Sequence, residues 1–473
     1  MGMSGGGDLY YLEIHQLAGL IRSKQVSPVE VTHALLERIA ALDGYLNSYS
    51  HVMSEQALEQ AREAERAICA GNYLGLLHGV PVTVKDLFWT AGAPTAGGST
   101  LRRNFVAGED ATVVRRLRES GAVILGKLQL TEGAFATHHP SITPPVNPWG
   151  ADHWVGASSS GPGAATAAGL CFASLATDSG GSIRFPCAAN GLTGIKPTWG
   201  RVSRHGVFEL AASLDHVGPI ARSARDATIL LAAIAGRDER DPTSLPGGGP
   251  DLSALPASLH GVRIGFDTAW ISHSADSTTQ RAFHQALDVL QDAGGKLEEI
   301  EFPNAWTVAD EWETHCGVQA AVAHAADYPA RASEYGPALS RLIDQGREVS
   351  GMRYQEVRLN ALAFTGSLDA LMETVDLVAL PVQPFAAPTH DQLAALARDP
   401  ALNSRLIQFT SPFNVSGHPA IALPCGMTAN SMPVGFQLVA RKGDEATLCR
   451  AGIAFQQASD WHRLHPQAIV GTV

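Results

Sequence analysis

Apolar and polar positions near the start of the chain follow the period of an α-helix. Apolar residues recur at helical spacing in "LEIHQLAGLIRSK" and in "SPVEVTHALLERIAALD", where Ser27 is the predicted N-cap residue, with Pro28 at N1 and Glu30 at N3. A third helical pattern covers residues 54–71. The chain therefore opens with three amphipathic helices.

Beyond residue 78, short apolar stretches alternate with helical ones. "GVPVTVKDL" is rich in β-branched residues and alternates, which predicts a buried strand with Lys85 at its end. Further strands are predicted in "GAVILGK", "CFASLATD", "VRIGFD", "KLEEIEF", "VDLVALP", "AIALPC" and "MPVGFQLVA", and helices in "DATVVRRLRES", "TTQRAFHQALDVLQDAGG" and "EATLCRAGIAFQQAS". This alternation predicts an α/β fold around a mixed, mostly parallel β-sheet.

The composition is that of a globular protein and excludes several classes of function. Hydrophobic residues make up 45% and charged residues 17% of the 473, and the scattered Lys and Arg are outnumbered 46 to 34 by acidic residues, so we expect no nucleic-acid binding. The longest apolar stretch, "ATILLAAIAG", is too short to cross a bilayer, and "MGMSGGGDLY" lacks the pattern of a signal peptide. We therefore expect a cytoplasmic protein with no membrane contact.

Cysteine and histidine spacing gives no sign of a metal centre. The six cysteines are far apart and form no CxxC pair, so neither a disulfide framework nor a zinc site is predicted. The histidines singled out by their surroundings are His138, His139, His153 and His315, and they show no strong ligand spacing. We expect a protein that works without a metal or a cofactor.

Three stretches could carry chemistry: Lys85 at its strand end, "VGASSSGPGAATAAG" at 155–169, and "TDSGGSIR" at 177–184. The last could be a plain turn, a phosphate loop or the seat of a nucleophile, but the patterns of nucleotide-binding loops and of G-x-S-x-G hydrolases are absent. For a nucleophile, Gly180 and Gly181 would let the backbone turn and direct successive N–H groups at one point, where they can hold an oxyanion. Ser182 would then begin the short helix "SIRFPCAAN".

Several stretches together resemble the amidase signature family, the Ser-Ser-Lys amide hydrolases. They are "GVPVTVKD", "WVGASSSGPGAATAAG", "ATDSGGSIRFPCAANGLTGIKPTWGRVSRHGV", "LDHVGPIARSARDA", "VALPVQPFAAP" and "FNVSGHPAIALPCG". The resemblance covers most of residues 10–460 and is weakest over 228–370. It implies one domain over 1–473, with a large twisted sheet covered by helices on both faces. The parts of that domain would be N-terminal helices (1–72), a catalytic core (73–228), a variable helical part of the substrate pocket (229–370) and a C-terminal part of the core (371–473).

By position, the resemblance implies that Lys85 is the general base, Ser158 a bridging serine in cis peptide linkage, and Ser182 the nucleophile. Their chemistry is coherent, because a lysine accepts a proton only when it is neutral, and burial among apolar residues lowers its pKa. The resemblance also implies an oxyanion hole of main-chain N–H groups, a pair that braces the loop, and residues beside the acyl pocket. The oxyanion donors would be the N–H groups of Ser179, Gly180, Gly181 and Ser182. The bracing pair would be Asp178 and Arg184, and the residues beside the acyl pocket would be Ala134 and Phe135.

The family pattern is not matched everywhere. Where the family has Gly-Gly-Ser-Ser-Gly-Gly-Ser, this chain has Ala157 before the expected cis bond and Ser160 after it. Such a bond persists only where its surroundings enforce it, so these two residues bear on the local geometry.

The resemblance implies hydrolysis of a neutral carboxylic amide, or of a related carbamate or ester, through an acyl-enzyme. The family includes aryl acylamidases and urethanases, and "LTEGAFATHHPSITPPVNPWGADHW" contains aromatic residues but no Lys or Arg, which favours an apolar or aromatic small-molecule substrate. The alternative is a glutaminase-type subunit of a tRNA-dependent amidotransferase, although "GKLQLTEGAFAT" lacks the Asn-Met-Asp-Glu-Phe run of that branch. A non-catalytic protein of the same fold is a third interpretation. We expect a monomer or a homodimer.

Overall fold

The computed structural model describes residues 9–252, 258–396, 398–399 and 402–467. Its core is one sheet of 11 strands in the order β1-β3-β2-β4-β6-β5-β10-β11-β9-β7-β8. The strands are β1 (Tyr49–Val52), β2 (Pro81–Lys85), β3 (Val123–Leu128), β4 (Ala173–Asp178), β5 (Thr193–Lys196), β6 (His216–Ala221), β7 (Arg263–Phe266), β8 (Lys296–Glu299), β9 (Leu377–Pro381), β10 (Ala420–Met427) and β11 (Pro433–Ala440).

Helices flank this sheet and fill the connections between its strands. In chain order they are α1 (Ile14–Arg22), α2 (Pro28–Leu46), α3 (Ser54–Cys69), α4 (Thr112–Glu119), α5 (Ser160–Ala167), α6 (Arg184–Asn190), α7 (Ala224–Ile234), α8 (Thr268–Ser274), α9 (Ser277–Asp292), α10 (Trp306–Asp310), α11 (Trp312–Ala323), α12 (Pro337–Glu348), α13 (Gly351–Thr374), α14 (His390–Leu396), α15 (Leu402–Ile407), α16 (Ser411–Val415) and α17 (Glu445–Gln457). No helix in the described ranges has the length and apolarity that a bilayer crossing requires.

The prediction of a mixed α/β sheet is confirmed, but the prediction that it is mostly parallel is wrong. Of the ten strand pairings in the described residues, six are antiparallel and four are parallel. The parallel pairs form two groups, β3-β2-β4 and β9-β7-β8. Between them β6, β5, β10 and β11 run antiparallel to their neighbours. Strands β5 and β6 were not predicted from the sequence, so these reversals were not foreseen.

The N-terminal helices form where the apolar pattern predicts them. At the start of α2, the Ser27 N–H donates to the Glu30 carboxylate at 2.9 Å and the Ser27 hydroxyl accepts the Val29 N–H at 3.0 Å, which completes the predicted capping box. Helix α1 packs on the core of the same chain, where the Ile14 N–H donates to Asp226 on α7 at 2.9 Å. The first eight residues, which include most of the N-terminal stretch considered as a signal peptide, lie outside the described residues.

One sheet takes in strands from residue 49 to residue 440, and we infer from this that the chain is one domain. The order of the strands also creates the site. Strands β2 and β4 are parallel neighbours, with Thr83 opposite Ser174 and Val84 opposite Leu175. Their carboxyl ends therefore meet at the same edge of the sheet, which is where α/β proteins place ligands. Lys85 ends one of these strands and the loop that carries Ser182 follows the other.

Candidate active site

Lys85 is fully buried, and its amine contacts two hydroxyl groups. The Nζ atom donates to Ser158 Oγ at 2.8 Å and to Thr177 Oγ1 at 2.9 Å. Burial lowers the pKa of Lys85 to about 7, against the opposing effect of the Asp178 and Asp215 carboxylates. A large share of the molecules therefore carries a neutral amine at neutral pH, and a neutral amine can accept a proton from Ser158.

Two other lysines are buried on strands of the sheet, but their amines have different partners. Lys127 Nζ lies 3.3 Å from Asp86 and donates to the Phe88 carbonyl at 2.8 Å. Lys196 Nζ donates to main-chain carbonyl groups, at 2.5 Å for that of His418. In the hydrogen bonds of the described residues, only the amine of Lys85 meets a serine hydroxyl.

Ser158 lies in the loop before α5, and its peptide bond to Ala157 is cis, as the resemblance implied. The Thr131 N–H donates to the Ser158 carbonyl at 3.2 Å. Two residues earlier, Gly156 has φ +86°, and a Cβ atom there would lie 2.6 Å from the Pro186 nitrogen on α6. Glycine thus lets the Ser158 loop pack directly on the helix that follows Ser182.

The loop that carries Ser182 folds around the carboxylate of Asp178. Asp178 accepts the N–H groups of Gly181 at 2.8 Å and Ile183 at 3.1 Å. The Gly181 N–H is therefore directed at this carboxylate, which contradicts its prediction as an oxyanion donor and leaves Ser179, Gly180 and Ser182. Helix α6 begins at Arg184, so the prediction that Ser182 starts it is wrong by two residues.

Asp178 and Arg184 form an ion pair that is buried on both sides. Arg184 Nε and Nη2 donate to the two oxygens of Asp178 at 3.0 and 2.9 Å. Burial alone would raise the pKa of Asp178, but the charge and hydrogen bonds of Arg184 hold it well below its usual range. The remaining Arg184 donors reach Thr410, Gln437 and Asn414 in the C-terminal part of the chain. The ion pair thus joins the Ser182 loop to that part of the core.

Ser179 is held from two directions. Its hydroxyl donates to Asp215 at 2.5 Å, and the other oxygen of Asp215 accepts the N–H groups of Leu210 and Ala211. Burial raises the pKa of Asp215 to about 6, although these hydrogen bonds favour the charged form. On the other side, the indole N–H of Trp312 on α11 donates to the Ser179 carbonyl at 2.8 Å.

One of the two predicted pocket residues, Phe135, is connected to this loop through Trp312. The rings of Phe135 and Trp312 stack with centroids 6.4 Å apart and planes inclined by 16°, and both side chains are buried. Ala134, also buried, precedes Phe135 with φ +63°. The pair gives the Ser179–Ser182 loop a flat aromatic neighbour, and Trp312 belongs to the predicted variable part over 229–370.

Comparison with known proteins identifies a family. The family model described as Amidase matches residues 30–449. The chain belongs to the amidase signature family. It is therefore an enzyme of the amidase class, a hydrolase that acts on carbon–nitrogen bonds.

Relatives within this family carry different names. AmiD of Mycobacterium tuberculosis, named as an amidase, is 49% identical over 455 residues, which cover 96% of each chain. A glutamyl-tRNA(Gln) amidotransferase subunit of Moorella thermoacetica is 37% identical and covers 97% of this chain and 99% of its own. The structure of 6-aminohexanoate cyclic dimer hydrolase is 27% identical with a TM-score of 0.88, over 98% of this chain and 100% of the other.

Several residues of this amidase-family site were not identified from the sequence. Trp312 and Asp215 contact Ser179, while Thr410, Asn414 and Gln437 contact the Asp178–Arg184 pair or its loop. They lie 36 to 253 residues away from their partners along the chain. Asp215, Asn414 and Gln437 stand in the quoted stretches "LDHVGPIARSARDA", "FNVSGHPAIALPCG" and "MPVGFQLVA", but nothing within these stretches marks them as site residues. Trp312 and Thr410 stand in no quoted stretch, and long-range packing brings them to the site.

A group of potential metal ligands lies away from the candidate active site. Within the described ranges, one group of three, Glu13, His15 and Asp226, lies where α1 meets α7. Its carboxylates already accept the Ile14 N–H and the Ser223 hydroxyl. His138 lies nearer the candidate site, but its ring nitrogen pairs with the Ser160 hydroxyl at 2.9 Å, and burial lowers the pKa of His138 to about 4.

Proposed function

We propose that the protein hydrolyses a neutral carboxylic amide through an acyl-enzyme on Ser182, with Ser158 as proton relay and Lys85 as base. The observation that carries this proposal is the contact between Lys85 and Ser158. A buried amine with a pKa of about 7 lies 2.8 Å from a hydroxyl, at the sheet edge where the Ser182 loop begins. A general base works best when its pKa is near the operating pH.

Each proton in this reaction has a defined route. Neutral Lys85 takes the proton of Ser158 while Ser158 takes the proton of Ser182, whose oxygen bonds to the substrate carbonyl carbon. The carbonyl π electrons move onto oxygen, and the N–H groups of Ser179, Gly180 and Ser182 stabilise that oxyanion. When the carbon–nitrogen bond breaks, the protons return by the same route to the leaving amine. Water then attacks the acyl-enzyme with the same base.

The aromatic residues next to the Ser182 loop favour an apolar or aromatic substrate. Phe135 and Trp312 present stacked rings beside the Ser179–Ser182 loop. Carbamates and esters offer the same carbonyl to the same nucleophile, so aryl acylamidase and urethanase activities belong to this proposal. The substrate is a small molecule, and the chemistry requires neither metal nor cofactor.

A glutaminase function is the alternative, and the 37% identity to an amidotransferase subunit supports it. Glutamine carries a carboxylate and an ammonium group, which need charged partners. The stretch 130–154, which contains Phe135, has no Lys or Arg to bind the carboxylate. We therefore place a neutral amide ahead of glutamine.

A substrate panel tests the proposal. The purified chain is assayed with anilides, aliphatic amides, aryl carbamates, esters and glutamine, beside Ser182→Ala and beside Ser416→Ala as a matched control that removes a hydroxyl elsewhere. We expect activity on aryl amides or carbamates, loss of at least about 10³-fold in Ser182→Ala, and fluorophosphonate labelling that maps to Ser182. Hydrolysis of glutamine alone, or an active Ser182→Ala variant, contradicts the proposal.

A further inference from the structure

We propose that Trp312 is a positioning residue that orients the Gly180 N–H toward the substrate oxyanion. The inference rests on the proposed function of the Ser179–Ser182 loop and adds a residue from the part of the chain where the family resemblance is weakest. Trp312 is the first residue of α11 and is 6% exposed.

The contact involves the peptide unit between Ser179 and Gly180. Its carbonyl belongs to Ser179 and its N–H to Gly180, and a trans peptide is planar with these two groups pointing in opposite directions. The Trp312 indole N–H donates to this carbonyl at 2.8 Å. By fixing the carbonyl on one side of the loop, Trp312 fixes the direction of the Gly180 N–H on the other.

The indole also lies against Gly180 itself. A Cβ atom at residue 180 would come within 2.7 Å of Trp312 Cζ2 and 2.9 Å of Cε2. Any side chain larger than hydrogen would push the ring away from the loop. The two glycines of "SGGS" are therefore needed for different reasons. Gly180 admits the indole, and Gly181 takes φ +137° so that its N–H reaches Asp178.

The next peptide unit is fixed as well. The carbonyl of Gly180 accepts the Thr410 hydroxyl at 2.6 Å, and the Ser179 hydroxyl is held by Asp215. Trp312 therefore completes a set of three contacts that leaves the Ser179–Gly180 peptide little freedom to rotate. Such preorganisation matters because an oxyanion donor acts only when it already points at the oxygen.

Helix α11 is itself anchored, so Trp312 can transmit a fixed position. Glu311, the residue before it, accepts hydrogen bonds from Arg353 at 2.8 Å and from Asn360 at 3.0 Å, both on α13. Further along α11, the Gln319 side chain accepts a hydrogen bond from the Ser213 N–H and donates one to the Ser213 hydroxyl. Ser213 stands two residues before Asp215. Helix α11 thus contacts both the Ser179 carbonyl and the segment that carries Asp215.

The test is Trp312→Phe, which keeps an aromatic ring and removes the N–H donor. Its matched control is Trp149→Phe, because Trp149 also donates its indole N–H to a main-chain carbonyl, that of Asn190 at 2.9 Å, at the other end of α6. We expect kcat to fall about 10- to 100-fold in Trp312→Phe, with KM for a small neutral amide within about twofold of wild type. Trp149→Phe keeps its kcat within about twofold.

A second measurement separates positioning from folding. An aldehyde inhibitor forms an adduct with Ser182 whose oxygen occupies the oxyanion position, whereas the amine product of hydrolysis does not. Affinity for the aldehyde falls in Trp312→Phe by the same factor as kcat, and affinity for the product is unchanged. If Trp312→Phe does not fold, the benzothienylalanine analogue at residue 312, which replaces only the indole N–H with sulfur, is measured in its place.

Two outcomes overturn the inference. One is a kcat and an aldehyde affinity both within twofold of wild type, and the other is a rise in KM with kcat unchanged. Failure of the proposed function has a different signature, since wild-type protein would then show no fluorophosphonate label on Ser182. A labelled wild type with an unaffected Trp312→Phe variant overturns the role of Trp312 alone.

Discussion

The buried amine of Lys85 makes the stability of the fold depend on pH in a defined direction. Its pKa falls from 10.5 to about 7 on folding. Between these values the unfolded chain binds a proton that the folded chain has released, so the free energy of unfolding rises with pH across this range. One proton corresponds to about 1.4 kcal/mol per pH unit, or roughly 5 kcal/mol over the whole range.

Lys85→Met isolates this contribution because it removes the titrating amine and keeps most of the side-chain volume. The variant also loses the hydrogen bonds to Ser158 and Thr177, at a cost of about 1 to 3 kcal/mol for each hydroxyl left unpaired. That cost does not change with pH, so the informative quantity is the slope. We expect the free energy of unfolding of wild type, minus that of Lys85→Met, to increase by about 3 kcal/mol from pH 7.5 to 9.5.

Urea denaturation at three pH values in this range measures the difference, with equal m-values as the condition for comparing the two proteins. Lys296→Met, at an exposed lysine on β8, is the control and should give a difference that does not vary with pH. A flat difference for Lys85→Met as well would refute the reasoning. It would mean that Lys85 keeps its proton in the folded protein and cannot be the base at neutral pH.

Two further predictions concern the same charges. The kcat/KM for a neutral anilide should rise with pH through a midpoint near 7, because only the neutral form of Lys85 accepts a proton; a profile that is level from pH 6 to 8 would contradict this. Arg184→Leu leaves the Asp178 carboxylate buried without its partner and should lower the free energy of unfolding by about 3 to 5 kcal/mol, measured by urea denaturation. Arg115→Leu, which breaks an exposed pair with Glu119, should change stability little by comparison.

The sequence predicted the elements of the fold better than their arrangement. The capped start of α2 and the β-branched run of β2 are local signals, and both elements form as expected. Strand β6 contains Gly218 and Pro219, which are unfavourable in strands, so it was missed. Whether neighbouring strands run parallel depends on their order in the sheet. That order places β6 between β4 and β5, and no local sequence pattern indicates this pairing.

Some residues of the candidate site could likewise be predicted from the sequence, and others could not. Lys85, Ser158 and Ser182 stand in continuous motifs, and the structure brings Lys85 and Ser158 into contact. The direction of the Gly181 N–H could not be predicted, since it depends on how the Asp178 side chain turns back on its own loop. Trp312 contacts Ser179 from 133 residues away, in a region where the resemblance is weakest. A residue that acts through one hydrogen bond to a partner so far along the chain belongs to no sequence motif, so the sequence alone does not identify it.

The charges around Lys85 explain why its amine can be neutral at all. An ionised carboxylate nearby favours the protonated lysine, and Asp178 and Asp215 both act on the pKa of Lys85 in that direction. Asp178 is the stronger of these two effects, and its charge is matched at 2.9 Å by Arg184. Burial also raises the pKa of Asp215 to about 6, so this group holds its charge less firmly than an exposed aspartate. The attraction of both carboxylates is nevertheless smaller than the effect of desolvation, so burial decides the direction in which the pKa of Lys85 shifts.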